Sequence, residues 1–223
     1  MDENDIKSRL DKISITDIAL AIDQLFNNSK VKSYDRYCDA IRGVSKISNY
    51  PTRYEDKIVQ QMTQHFAELY NWFKSQSVEN KNVRYTLQLI NYGLFWENTA
   101  IQRLLSSLVG IAFDGSYTEP LLGQTDHHTN SFYEKLISDA KNASLDIAFI
   151  IEALFNNQIR NAAVHTQIYF FDKGITLMNH KNKSKFTIPS ISYDLWDDVY
   201  VKTAIFIETL FRKRLSEYKV VNS

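Results

Sequence analysis

Residues 156–171 read NNQIRNAAVHTQIYFF, and two periodicities meet inside this stretch. Upstream of it, Leu136, Ala140, Ile147, Ile151 and Leu154 recur at the three-and-four spacing of one helix face. Downstream, TQIYFFDKGITLMN (166–179) alternates and is rich in β-branched and aromatic residues, with Asp172-Lys173-Gly174 as a turn. KSKFTIPSISY (183–193) alternates again. The period therefore changes from helix to strand close to His165, and residues 167–191 are expected to form a small β-hairpin or meander.

Working outward, helical spacing returns on both sides. Tyr193-Asp194 is expected to open a last helix with Val199, Ala204, Ile207, Leu210 and Phe211 facing inward. Near the N-terminus, residues 15–28 carry the stripe Ile18, Ala21, Ile22 and Leu25, with Thr16 or Asp17 at the start. A second helix is expected from Ser33 to about Ile47, and a third from Pro51, which the first turn tolerates, with Ile58, Met62, Phe66, Leu69 and Phe73 inside. After the polar break SVENKN (77–82), Val83 to Phe113 reads as one long helix, its core positions being Leu87, Ile90, Leu94, Ile101, Leu104, Leu105 and Leu108. Residues 114–129 read as the longest loop, and the helix after it starts near Asn130 or Ser131. The expected architecture is mainly α: a helical bundle of five to six helices with a small β-hairpin inserted before the last one.

Composition narrows the function classes. The chain has 223 residues, 44% apolar and 23% charged, an ordinary globular balance. Its 26 basic and 26 acidic side chains cancel, so no global field draws it to nucleic acid or to an anionic membrane. The single cysteine, Cys38, excludes an internal disulfide framework and every multi-cysteine zinc site. No run approaches the ~18 uninterrupted apolar residues of a membrane span, and the charged start MDENDIKSRLDKI lacks a signal-peptide core. A soluble, cytoplasmic protein without membrane contact is expected.

Arg160, Asn161 and His165 are the concentrated polar chemistry of the opening stretch. On a continuous helix an offset of five is about 140° of rotation and ~7.5 Å of rise, so the arginine and the histidine would not share a face. Either the helix ends between them or a second chain completes the site. Spacing alone favours a simpler reading, cations at a helix C-terminus where they meet the dipole and the last carbonyls.

RNAAVH, 160–165, resembles the Arg-x4–6-His motif of the HEPN superfamily, including the Asn that commonly follows the Arg. The helical context is similar too, and the resemblance covers residues 80–218, with 1–79 as an N-terminal helical extension of a single HEPN-like domain. It implies a metal-independent endoribonuclease without a cofactor, often a toxin or an anti-phage defence effector, that dimerises so that two motifs face one cleft. The implied partners are a second copy of the chain, an RNA substrate, and an antitoxin or defence-system component. On this resemblance His165 moves a proton between an RNA 2′-hydroxyl and the departing 5′-oxygen, and Arg160 binds phosphate oxygens. Asn161 supports them, and the product is a 2′,3′-cyclic phosphate. HEPN families often add a polar residue on an earlier helix; Glu97 in GLFWENTAIQRLL is the match, and it either pairs with Arg160 or points to solvent. The alternative is a non-catalytic HEPN-like module for dimerisation or for binding RNA or nucleotide.

One departure concerns regulation. Some HEPN toxins have a tyrosine two residues after the His, where this chain has Gln167, the nearest tyrosine being Tyr169. Asp126-His127-His128 reads as a polar loop, His65 as a surface histidine, and the basic segment 180–185 as a solvated hairpin tip or an RNA phosphate contact.

Overall fold

The computed structural model describes residues 2–43, 81–115, 129–180 and 188–223. In chain order they form α1 (Glu3–Leu10), α2 (Ile15–Lys32), α3 (Tyr34–Arg42), α4 (Lys81–Glu97), α5 (Thr99–Asp114), α6 (Thr129–Asn142), α7 (Ile147–Leu154) and α8 (Asn157–Val164). Then come β1 (Ile168–Phe171), β2 (Gly174–Leu177), β3 (Ser190–Ser192) and α9 (Tyr193–Val221). The protein is mainly α, with a three-stranded antiparallel sheet of order β1-β2-β3 before the last helix. Among the described residues the helices are shorter and more numerous than five to six. The expected helix from Pro51, His65, the Asp126–His128 loop and residues 181–185 lie outside the described residues.

Single polar residues make the extra breaks. Asn98 ends the expected 83–113 helix, because its Oδ1 accepts from the Ala100 and Ile101 N–H groups at 2.9 and 3.2 Å and starts α5. Ser144, at φ 54°, closes α6 in a left-handed turn in which the Leu145 N–H bonds the Ala140 carbonyl at 2.9 Å. Asn156 caps α8 through the Ile159 N–H at 3.0 Å. At the N-terminus, Ser14 and Asp17 form the reciprocal capping box that fixes the start of α2. Gly43, at φ 74°, stops α3 at Arg42, short of Ile47.

The stripes expected on α2, on α9 and along Ile101–Leu108 are buried. The phase expected for α4 is corrected. Its inner face is Tyr85, Leu89, Tyr92 and Trp96, whereas Leu87 is half-buried and Ile90 and Leu94 are exposed. Large aromatic rings fill the space there, with Trp96 between Tyr92, Tyr133, Phe155 and Phe206.

The long α9 runs against α1, α2, α3, α4 and α7, and one core cluster extends from Ile6 to Phe211. Side chains lock the helix ends to it. Glu3 accepts from the Ser192 N–H at 2.6 Å, and Lys202 Nζ donates to the Leu10 carbonyl at 3.0 Å. Arg214 Nε donates to the Ile41 carbonyl, and Arg42 to the Val221 carbonyl, so each arginine serves a helix C-terminus. In the sheet, Gly174 lies so close to the Ile191 carbonyl that a Cβ would stand 2.3 Å from its oxygen. No helix among the described residues is long and apolar enough to cross a membrane.

Glu217 of α9 sits between Lys30, at 3.5 Å, and Lys213, at 3.6 Å, which also pairs with Asp23 at 2.8 Å. Burial pushes its carboxyl upward, but the Tyr37 hydroxyl and the two lysines outweigh that and hold it below the usual glutamate value. A lowered folded pKa supplies stability that is present above the unfolded value and is lost as pH falls through the folded one. Urea midpoints of the wild type should therefore fall from about pH 5 downward, and Glu217→Gln should flatten that slope while costing about 1 kcal/mol at neutral pH.

Candidate functional site

The helix that carries the motif is held by a phenol from α4. The Tyr92 hydroxyl donates to the Leu154 carbonyl at the end of α7 and accepts from the Asn156 N–H before α8, both at 2.8 Å. One buried side chain thus satisfies both backbone groups that the Phe155-Asn156 corner would otherwise orphan. Gln158 adds a second anchor, its amide bonded to the Ile188 carbonyl and N–H at 2.7 and 2.8 Å. Gly93 of α4 lets the two helices close, since a Cβ there would stand 2.9 Å from Val164 Cγ2.

Arg160 points into this junction, its side chain only 9% exposed. Nη1 donates to Glu97 Oε1 at 2.7 Å and Nη2 to Asn157 Oδ1 at 2.7 Å. Buried Nε has no hydrogen-bond partner among the described residues. Burial pushes the neighbouring phenols of Tyr92 and Tyr133 well above the ordinary tyrosine value, and the Arg160 charge pulls the other way. Of the two outcomes open for Glu97, the structure has the pairing. That carboxylate is the last residue of α4, placed there by the break at Asn98, and its side chain remains 39% exposed.

Asn157 is the residue that sequence reasoning missed. Its Oδ1 also lies 3.4 Å from Asn161 Nδ2, so it joins the arginine to the asparagine next to it. Its position three residues before Arg160, on the adjoining helical face, was the available signal.

His165 stands apart from this cluster. It is the C-cap of α8, with φ −96° and ψ 10°, and is exposed. The helix continues up to the histidine, whose N–H bonds the Asn161 carbonyl at 3.0 Å, so no break between arginine and histidine brings the two side chains together. The turn is made by Thr166, a β-branched residue at φ 53°, whose N–H bonds the Ala163 carbonyl at 3.3 Å. The Gln167 N–H then bonds the Ala162 carbonyl at 2.8 Å, and β1 follows. Asn157, Asn161 and His165 succeed one another at intervals of four and line one side of a cleft of about 840 Å³ between α1, α6, α7 and α8. The structure thus brings Arg160, Asn161 and Glu97 into one network with Asn157, and leaves the imidazole on the open cleft at the far end of the helix.

The chain matches no protein-family model, no curated protein and no solved structure.

Two substitutions check the local geometry. Tyr92→Phe strands the Leu154 carbonyl and the Asn156 N–H and should cost about 1–3 kcal/mol of stability in denaturant titration. Thr166→Gly relieves a β-branched residue from the left-handed region and should raise stability by up to ~1 kcal/mol, because the strain removed exceeds the added backbone entropy. A Thr166→Gly variant less stable than the wild type would show that the turn is unstrained.

Proposed function

We propose that the chain is a metal-independent endoribonuclease of HEPN type, acting as a homodimer. The observation that carries this reading is the 2.7 Å ion pair between Glu97 and Arg160. It joins the earlier-helix carboxylate to the motif arginine, while His165 remains accessible on the cleft four residues beyond Asn161. A carboxylate 39% exposed is an exchangeable partner, so a phosphate oxygen can take its place on Arg160 Nη1. One His165 accepts the proton of a 2′-hydroxyl as its oxygen attacks phosphorus. The His165 of the second copy protonates the 5′-oxygen as the P–O bond breaks, leaving a 2′,3′-cyclic phosphate and a 5′-hydroxyl.

A second copy is required because each chain brings one such histidine, and an apolar face is available beside the motif. Ile90 and Leu94 on α4 are exposed, and Val164, which packs over Gly93, is exposed next to them. This face adjoins Glu97 on the same helix, so a second copy seated there sets two motifs side by side.

The second reading, a non-catalytic module for dimerisation or RNA binding, draws on the burial of Arg160. A guanidinium engaged with Glu97 and Asn157 is a structural clamp whether or not chemistry occurs at His165. A toxin or defence role, with its antitoxin or trigger, belongs to either reading.

Labelled single-stranded RNA incubated with the protein in EDTA separates the two. Cleavage to cyclic-phosphate ends should be lost by ~10²–10⁴-fold in His165→Ala, whose imidazole is exposed and whose loss leaves the fold intact. Equal cutting by both proteins, or none by either, eliminates the nuclease and leaves the binding module. Leu94→Lys should convert the dimer to a monomer in sedimentation and remove cleavage with it; an unchanged dimer would move the interface elsewhere.

A further inference from the structure

The cleft beside His165 is lined by amides far more than by charges. Asn157, Asn161 and Gln167 face it from the motif side, and Phe155, half-buried, adds an aromatic surface. Its charged lining is already engaged: Arg9 Nη1 donates to the Glu152 carbonyl, Glu152 pairs with Lys141 at 2.9 Å, and Glu134 accepts from Asn130 at 2.6 Å. Asn161 has one long contact, 3.4 Å to Asn157, and among the described residues no hydrogen bond engages the Gln167 side-chain amide. Amides open to solvent along a cleft of about 840 Å³ suit a neutral, planar ligand with donors and acceptors side by side.

Among nucleobases the chemistry discriminates. Guanine is read best by an arginine or lysine fork and cytosine by a carboxylate acceptor. In this cleft such groups must first leave the Glu152 carbonyl, Lys141 or Asn130, whereas the Asn161 and Gln167 amides are open. Adenine presents an adjacent donor and acceptor that one Asn or Gln amide matches with two bonds. Uracil also offers a donor and an acceptor but a smaller face to stack on an aromatic ring.

We propose that the cleft is an adenine pocket. It receives an unpaired adenine with Asn161 and Gln167 reading the base edge and the Phe155 ring against the base. This inference rests on the nuclease reading for its purpose, placing the base next to the phosphate that His165 serves, and makes cleavage selective for single strands with an adenine at the cut.

The test needs no catalysis. Uncharged adenosine, guanosine, cytidine and uridine are titrated separately into the full chain, and the side-chain amide resonances of Asn161 and Gln167 are followed by NMR. Adenosine should shift both signals saturably and more tightly than the other three. Gln167→Leu, which leaves the buried network untouched, should weaken adenosine by at least ~5-fold, the loss of one amide–base pair. Equal response to all four nucleosides, no response at these amides, or undiminished adenosine affinity in Gln167→Leu overturns the pocket. If His165-dependent cleavage in EDTA is present while adenosine fails to bind, the pocket falls and the nuclease stands. If adenosine binds selectively while RNA stays intact, the nuclease falls and the pocket stands.

Discussion

A guanidinium cannot stay nine-tenths out of water without partners, and the partners Arg160 finds through its two Nη atoms join the end of α4 to the start of α8. Glu97 is the last residue of α4, so the Nη1 bond ties the end of that helix to α8, while the Nη2 bond to Asn157, the first residue of α8, holds the guanidinium within its own helix. Removing one member of such a buried pair typically costs about 3–5 kcal/mol, less where the partner left behind reaches solvent, as Glu97 does. Tyr92, five residues before Glu97, holds the same junction through backbone groups. The motif is therefore seated twice from α4, by a charge and by a hydroxyl, and α8 has little freedom to slide along it. That rigidity is what sets the position of His165 at the other end of an eight-residue helix.

The offset of five between Arg160 and His165 now has a structural sense. Residues that far apart on one helix look in different directions, and here one looks into the protein and the other out. The turn at Thr166 ends the helix immediately after the histidine and starts β1 two residues later, so the imidazole sits on a corner and not on a helix face. Charge is held inside and a titratable ring outside, with Asn157 and Asn161 between them. On the proposed reading this divides the labour between a fixed cation that substrate must draw from Glu97 and a ring that meets substrate directly.

What could be read from the sequence follows from how each element declares itself. The stripes of α2 and α9 are aliphatic and regular, and the alternation after Gln167 is rich in Ile, Tyr and Phe, so helices and sheet were legible together with the helix-to-strand change at His165. The breaks at Asn98, Ser144 and Asn156 were not, because a single polar residue inside an apolar pattern reads as a tolerated exception until its side chain is seen bonding a backbone N–H or its φ is seen to be positive. The phase of α4 was misjudged for a different reason. Its core face is built from Tyr85, Tyr92 and Trp96, whose polar atoms make them ambiguous in sequence, while the unambiguous aliphatics Ile90 and Leu94 lie outside. At the site, the sequence leaves two outcomes open for Glu97, of which the pairing with Arg160 is found, and the role of Asn157 is not legible because the break at Asn156 that opens α8 beside it is not.

The charge balance bears on how an RNA could be held by this chain. With basic and acidic residues equal over the chain, there is no general positive field to gather phosphates, and Arg160 must leave Glu97 to meet one. Binding that neutralises few phosphates releases few counterions, so its affinity depends only weakly on salt. On the proposed reading, affinity and selectivity then come from base edges, ring stacking and the pairing of two copies, which are short-range and geometric. A neutral protein, on that proposed reading, binds RNA poorly at large and well only where an unpaired base fits. For the proposed nuclease, that weak general attraction is a physical restraint on indiscriminate cutting, written into the composition before any regulator is considered.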